Sequence, residues 1–263
     1  MCHESTASPA VYGRPLTPAD AELVTLTSAD GTDFAGFLVR PQRHSGAGVV
    51  VLPDARGLAP FYQELALRIA EQGHVALAID YFGRTAGAGT SDRGDDFPFM
   101  EHVVRLSRAT MQEDLEAAIA LIRSPRGGEC QAVFALGFCL GGRSAFFASA
   151  PRFGLTGVIG FYGAPGIAGP YGPGPTQHAH ELRAPILALF GGSDHGIPPS
   201  EVDAFRAALS GAGVEHEVVT YPGAPHGFFD VQQSAFAADS RDAWRRTLAF
   251  IQVQTNMRRA GNG

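Results

Sequence analysis

Cysteine is scarce in this chain. Among 263 residues there are three, Cys2, Cys130 and Cys139, and an odd, widely spaced set excludes a disulfide framework. Long apolar runs are missing too. No stretch approaches the roughly 18 apolar residues of a membrane span, and the opening MCHESTASPA has neither the basic n-region nor the apolar h-region of a secretory signal. The expected setting is therefore cytoplasmic and reducing, which keeps thiols free. Basic charge is in short supply: 20 Lys+Arg face 26 Asp+Glu, giving a net charge of −6 and a pI near 5.8. That balance argues against a nucleic-acid partner, whose footprint would be basic and clustered. With no G-x-x-x-x-G-K-[ST] present, the glycines at 87, 89 and 94 read as a loose loop rather than a phosphate cradle. Metal spacing is lacking as well, since neither Cys2-His3 nor His178-Ala179-His180 has further ligands at a convincing distance along the chain.

What the chain does have is a hydrophobic content of 45% against 17% charged, enough for a sizeable core. Apolar runs alternate with helical patterns. Glu22 to Thr27 and Phe34 to Arg40 read as a hairpin turning at Ala29-Asp30-Gly31. The runs Gly48–Leu52, His74–Ile79, Ala132–Leu136, Gly157–Phe161 and Pro185–Phe190 read as buried strands, and Val214–Tyr221 alternates like one. Between them, Tyr62, Leu65 and Ile69 mark one helix, and Met111, Leu115, Ala118, Ile119 and Ile122 another. A third spans Glu201–Leu209, and Trp244, Leu248 and Ile251 mark the last. Residues 1–20 read as irregular, and 163–175 as a Gly/Pro-rich connection. The pattern predicts one α/β domain over residues 1–263, with a mostly parallel, doubly wound sheet flanked by helices.

The stretch AVFALGFCLGGRSA, residues 132–145, has the form of a nucleophile elbow with cysteine in the place more often held by serine. The flanking glycines suit a crowded strand-to-helix turn, and the new helix is expected to start around Ser144. A thiolate at a helix N-terminus is favoured by the partial positive charge and unpaired N–H groups there. The bland alternative is a buried structural cysteine.

Two further residues fall at strand ends in chain order, Asp194 after Gly-Gly-Ser and His226 in a Pro-His-Gly loop. Nucleophile, acid, then histidine is the order found in the α/β-hydrolase fold, and the carboxyl ends of parallel strands gather on one edge. Alone, such an Asp is as often a turn cap, and a lone loop His is more often a surface residue. Together with the elbow they predict acyl chemistry, in which Cys139 attacks, His226 moves the proton and Asp194 orients the imidazole. The backbone N–H groups of Leu140 and Ala55 are the expected oxyanion donors. Arg56, Arg84 and Arg143 lie near the same edge and could hold a carboxylate; the alternative for each is a structural ion pair.

The motifs G-F-C-L-G-G, G-G-S-D, P-H-G-F and the opening M-C-H resemble those of the dienelactone hydrolases, or carboxymethylenebutenolidases, from about Glu22 to the final helix. The resemblance implies a hydrolase without cofactor or metal. Its substrate would be a small-molecule lactone or ester, in the family 4-carboxymethylenebut-2-en-4-olide giving maleylacetate. It implies a thiol-switch carboxylate at Asp54, where the family carries glutamate, and a substrate arginine at Arg84. At the family's second substrate arginine this sequence has Asp230. Tyr81, Phe82, Phe228 and Phe229 would supply apolar walls. Neither nucleic acid nor membrane is an expected partner, and a monomer or small homo-oligomer is expected. Three other readings stay open: a promiscuous esterase on neutral short-chain esters, a non-catalytic ligand-binding scaffold, and a thiol redox protein. The last lacks a resolving cysteine at C-x-x-C spacing.

Overall fold

Strand β3 (Ala47–Leu52) is buried at every position, as a run of Gly, Val and Leu must be when both faces of a parallel strand are covered. The computed structural model describes residues 9, 15–90, 93, 96–167, 169 and 172–261. Cys2 and His3, and most of the N-terminal stretch expected to be irregular, lie outside them. Two compact units divide the chain, residues 1–133 and 134–263.

In the first unit the strand order is β1-β2-β4-β3. β1 (Ala19–Thr27) and β2 (Asp33–Pro41) form the expected hairpin, with Thr27 opposite Asp33. Its turn is tied by the Asp30 carboxylate, which accepts from the Thr32 N–H at 3.0 Å. β2 runs antiparallel to β4 (Val75–Ile79), and β3 runs parallel to β4 with Gly48 beside Val75. The β3–β4 crossover is helix α1 (Pro60–Glu71), which starts with proline at its first turn and buries Phe61, Tyr62, Leu65 and Ile69. Two short helices, α2 (Gly83–Ala86) and α3 (Phe99–Val103), precede α4 (Arg108–Arg123). A capping box between Ser107 and Thr110 opens α4.

The second unit is all parallel, in the order β5-β6-β7-β8. β5 (Ala132–Phe138) pairs with β6 (Gly157–Phe161), β6 with β7 (Ile186–Gly191), and β7 with β8 (His216–Tyr221). Helices α5 (Leu140–Phe147), α6 (Pro199–Gly211) and α7 (Ala237–Gly261) complete it. Strand β8 is the most exposed of the four, which is why its sequence alternates while those of β5 to β7 do not.

The sequence reading placed the start of α5 around Ser144. The helix begins at Leu140, directly after Cys139. Glycine at 141 and 142 lowers intrinsic helix propensity, but the close approach of neighbouring chain makes those positions glycine for reasons of space. A Cβ on Gly142 would lie 2.6 Å from the Phe161 carbonyl oxygen. No helix among the described residues is long and apolar enough to cross a membrane.

Candidate active site

Cys139 sits between β5 and α5 with φ 52° and ψ −112°, a backbone conformation rare for any residue with a side chain. Crowding imposes it. A Cβ on Gly137 would fall 2.0 Å from the Gly141 carbonyl oxygen, so the chain can reverse this tightly only because that position is bare. The Cys139 N–H donates to the Phe161 carbonyl at 3.0 Å, and its own carbonyl accepts from the Arg143 N–H at 3.0 Å, the first bond of the helix. The thiol is half-buried at a helix start whose N–H groups have no carbonyl of their own helix to bind.

Asp194 lies in the loop that leaves β7. That loop is pinned to the one after β8 by two backbone bonds, Gly192 N–H to the Tyr221 carbonyl at 2.8 Å and Ser193 N–H to the Ala224 carbonyl at 2.9 Å. The Asp194 carboxylate is almost wholly buried. One oxygen accepts from the Gly196 N–H at 2.8 Å, and the other lies 2.7 Å from His226 Nδ1. His226 stands in the loop after β8, anchored to α7 by the Ser240 hydroxyl donating to the Phe228 carbonyl at 2.8 Å. Its imidazole is 43% exposed. Burial works against a charge on the ring, but hydrogen bonds to Asp194 and Cys139, with their negative charges, outweigh it and raise the pKa to about 10. Two of the three residues predicted from strand ends, Asp194 and His226, are thus joined through the carboxylate and Nδ1 at 2.7 Å, and Cys139 is near enough to the ring to contribute to its raised pKa. Leu140 follows Cys139 as the first residue of α5, which puts its N–H at the helix's first position.

The remaining predicted residues are held by local partners. Arg84 donates from Nε to Asp30 at 2.8 Å, from Nη1 to both oxygens of Asp114 at 2.8 Å, and from Nη2 to the Ser28 hydroxyl at 3.0 Å, with Glu113 at 3.5 Å. Asp114 is almost fully buried. Burial raises its pKa against the pull of Arg84, while Arg84 and the Thr32 N–H hold Asp30 down to about 2. Asp54, in the loop after β3 that also carries Ala55, clasps Arg56 through its backbone N–H at 2.8 Å, Nε at 2.8 Å and Nη2 at 2.5 Å. Tyr81 is buried and donates its hydroxyl to the Pro53 carbonyl at 2.9 Å. Arg143 is buried on α5 and donates to four carbonyls of the 163–175 connection: Ala164 and Gly166 at 2.7 Å, Gly172 at 2.9 Å and Pro173 at 3.1 Å. Asp230 is buried, and one of its oxygens accepts from the Val231 N–H. Phe82 and Phe228 are fully buried and Phe229 nearly so. Phe228 packs against Tyr162 and Tyr221 at 5.7 and 5.1 Å between ring centroids.

One residue that the sequence did not single out belongs here. Tyr162 directly follows β6, and its ring centroid is 4.9 Å from that of His226. An aromatic residue closing an apolar strand looks like core, and its place beside the histidine becomes visible only in the fold. No group of three or more His, Cys, Asp or Glu among the described residues is arranged to hold a metal ion.

The dienelactone hydrolase family, as a sequence profile, matches residues 34–254. The chain belongs to the dienelactone hydrolase family. A carboxymethylenebutenolidase of Rhodococcus opacus is 30% identical over 259 residues, covering 96% of each chain. A protein of Escherichia coli K12, provisionally named a carboxymethylenebutenolidase, is 30% identical over 254 residues, covering 93% of this chain and 92% of its own. Among solved structures, a provisionally named dienelactone hydrolase from Klebsiella pneumoniae superposes with a TM-score of 0.77 at 27% identity, covering 89% of this chain and 99% of that one. The fold is therefore the α/β-hydrolase fold expected from the elbow, and this family member is a hydrolase.

Proposed function

We propose that this family member hydrolyses small lactones or carboxylic esters through a Cys139 thioester, with Asp194 and His226 completing the triad. The observation that carries the reading is the buried Asp194 carboxylate 2.7 Å from His226 Nδ1, in the same unit as a cysteine held at positive φ on the turn between β5 and α5. Cys139 Sγ adds to the acyl carbon as a thiolate, with the proton on His226. The carbonyl oxygen becomes negative and is stabilised by the Leu140 N–H at the start of α5. Collapse breaks the C–O bond, and the leaving alkoxide takes the proton from His226. Water then gives a proton to His226 as its oxygen joins the acyl carbon. The C–S bond breaks, releasing the acid and restoring the thiolate–imidazolium pair. From a lactone the product is a single hydroxy acid, or its keto form where the alcohol is an enol. No cofactor enters any step, and a reducing cytoplasm would keep the sulfur available.

For the substrate, neutral esters and lactones fit better than an anionic dienelactone. Arg84 spends its guanidinium on three carboxylates and a serine, and a carboxylate, Asp230, stands where the family resemblance would put a second arginine. Purified protein should turn over p-nitrophenyl acetate and butyrate faster than dienelactone. Cys139→Ala and His226→Ala should each cut ester turnover by about 10³-fold or more. Turnover that survives either change sinks the triad, and dienelactone as the preferred substrate sinks the neutral-substrate reading.

A further inference from the structure

Tyr162 is as unusual in its backbone as the nucleophile. Its φ is 37°, and in the second unit it and Cys139 are the non-glycine residues with positive φ among those described. Strain of this kind persists only where surrounding structure enforces it. Here one peptide group enforces both. The Phe161 carbonyl accepts the Cys139 N–H at 3.0 Å, and the Tyr162 N–H on the same peptide donates to the Leu189 carbonyl at 2.8 Å. The elbow and the turn at Tyr162 are therefore clasped together. The consequence is a buried ring 4.9 Å from the imidazole centroid, tilted by 55°, and backed by Phe228 at 5.7 Å and Phe138 at 6.2 Å.

The geometry points to Tyr162 as a positioning residue: its ring, packed beside the imidazole, restrains His226 and favours the imidazolium, so that the sulfur of Cys139 is held as a thiolate. This rests on the triad reading and adds to it a residue that acts through the histidine. An aromatic face attracts a nearby cation, and a flat wall restricts rotation about χ2, which for histidine is otherwise broad. The titratable and charged groups facing the imidazole are Cys139 from the elbow, Asp194 from the loop after β7 and the Tyr162 phenol from the end of β6. Asp230 lies on the histidine's own loop, bonded to the Val231 N–H.

The test is alkylation of Cys139 by iodoacetamide, followed by peptide mass spectrometry across pH. It needs no substrate. Tyr162→Phe keeps the ring and should alkylate within about twofold of wild type. Tyr162→Leu removes the ring, and Tyr162→Gly removes it while relieving the positive φ, so the glycine variant carries the test where the leucine variant fails to fold. Both should alkylate about tenfold more slowly at mildly acidic pH, in the range of a cation–π contact of ~1.4 kcal/mol, and recover at alkaline pH. Their kcat on p-nitrophenyl acetate should fall with KM unchanged. Folded Leu and Gly variants that alkylate like wild type at every pH overturn the assignment. A wild-type profile equal to that of an unstructured cysteine peptide would overturn the nucleophile reading itself, and the role of Tyr162 with it.

Discussion

Cys130 and Cys139 are nine positions apart along the chain, and both sit among glycines, yet their surroundings differ in kind. Cys130 is fully buried, with its sulfur 3.8 and 3.9 Å from the carbonyls of Gly127 and Gly128, and burial pushes its thiol up to about 11. The bare face of Gly48 is pressed against it, for a Cβ there would lie 3.1 Å from the sulfur. Cys139 is half-buried on a strained turn at a helix start, beside an imidazole with a raised pKa. One sulfur is packing material and the other is the nucleophile we propose. Residue type is the same in both, so the difference lies in what surrounds each sulfur.

Experiments can press on that contrast from the strongest effect downward. Cys139→Ala should abolish ester turnover, whereas Cys130→Ala should leave kcat within about twofold of wild type, since a buried thiol with no charged partner has no part in the chemistry; a collapse of kcat in the second variant breaks the contrast. At neutral pH, iodoacetamide should modify the Cys139 peptide at least about 100-fold faster than the Cys130 peptide, which becomes reactive only on unfolding. Comparable rates in native protein would show that the burial of Cys130 does not protect it. Removing the sulfur of Cys130 should instead cost stability, about 1–2 kcal/mol for a small buried group, read by urea unfolding.

A subtler effect concerns the pH dependence of stability. The folded-state pKa of His226 is raised from 6.5 to about 10. Its contribution to stability is therefore complete below about 6.5 and is lost as pH rises through about 10. The difference in melting temperature between wild type and His226→Gln should shrink over that interval. A difference that grows with pH would mean that the imidazole is held neutral.

Charge elsewhere follows the logic of Cys130 rather than that of Cys139. Arg84 and Asp114 form a pair whose carboxylate is almost fully buried, and removing one partner of such a pair costs about 3–5 kcal/mol. Arg84→Ala should therefore destabilise the first unit strongly while leaving KM for a neutral ester near its wild-type value, measured on the folded fraction at low temperature. A large rise in KM without loss of stability would return Arg84 to the substrate.

Much of this could be read along the chain. Strands β3 to β7 announce themselves because full burial demands unbroken apolar runs, and the candidates Cys139, Asp194 and His226 stand out because parallel strands send their carboxyl ends to one edge. The fate of Arg84 could not be read, because its partners Asp30 and Asp114 come from a hairpin turn and a helix remote in sequence. The start of α5 was misplaced because two glycines argue against helix locally, while the space beside Phe161 and Gly163 admits nothing larger. Tyr162 was invisible because a strand-ending aromatic has the same local signature whether it fills a core or flanks a histidine.

The clamp of Arg143 on the connection after β6 has a consequence for variation. Its four acceptors are main-chain carbonyls, which every amino acid supplies, so the grip reads side chains only where space is short, as at Gly166 and Gly174. Substitutions at an outward-facing position such as Ile167, which is 66% exposed, can alter the outer chemistry of that segment while its anchorage stays the same. A mutational library confined to Ile167 would explore new surface beside an anchored main chain.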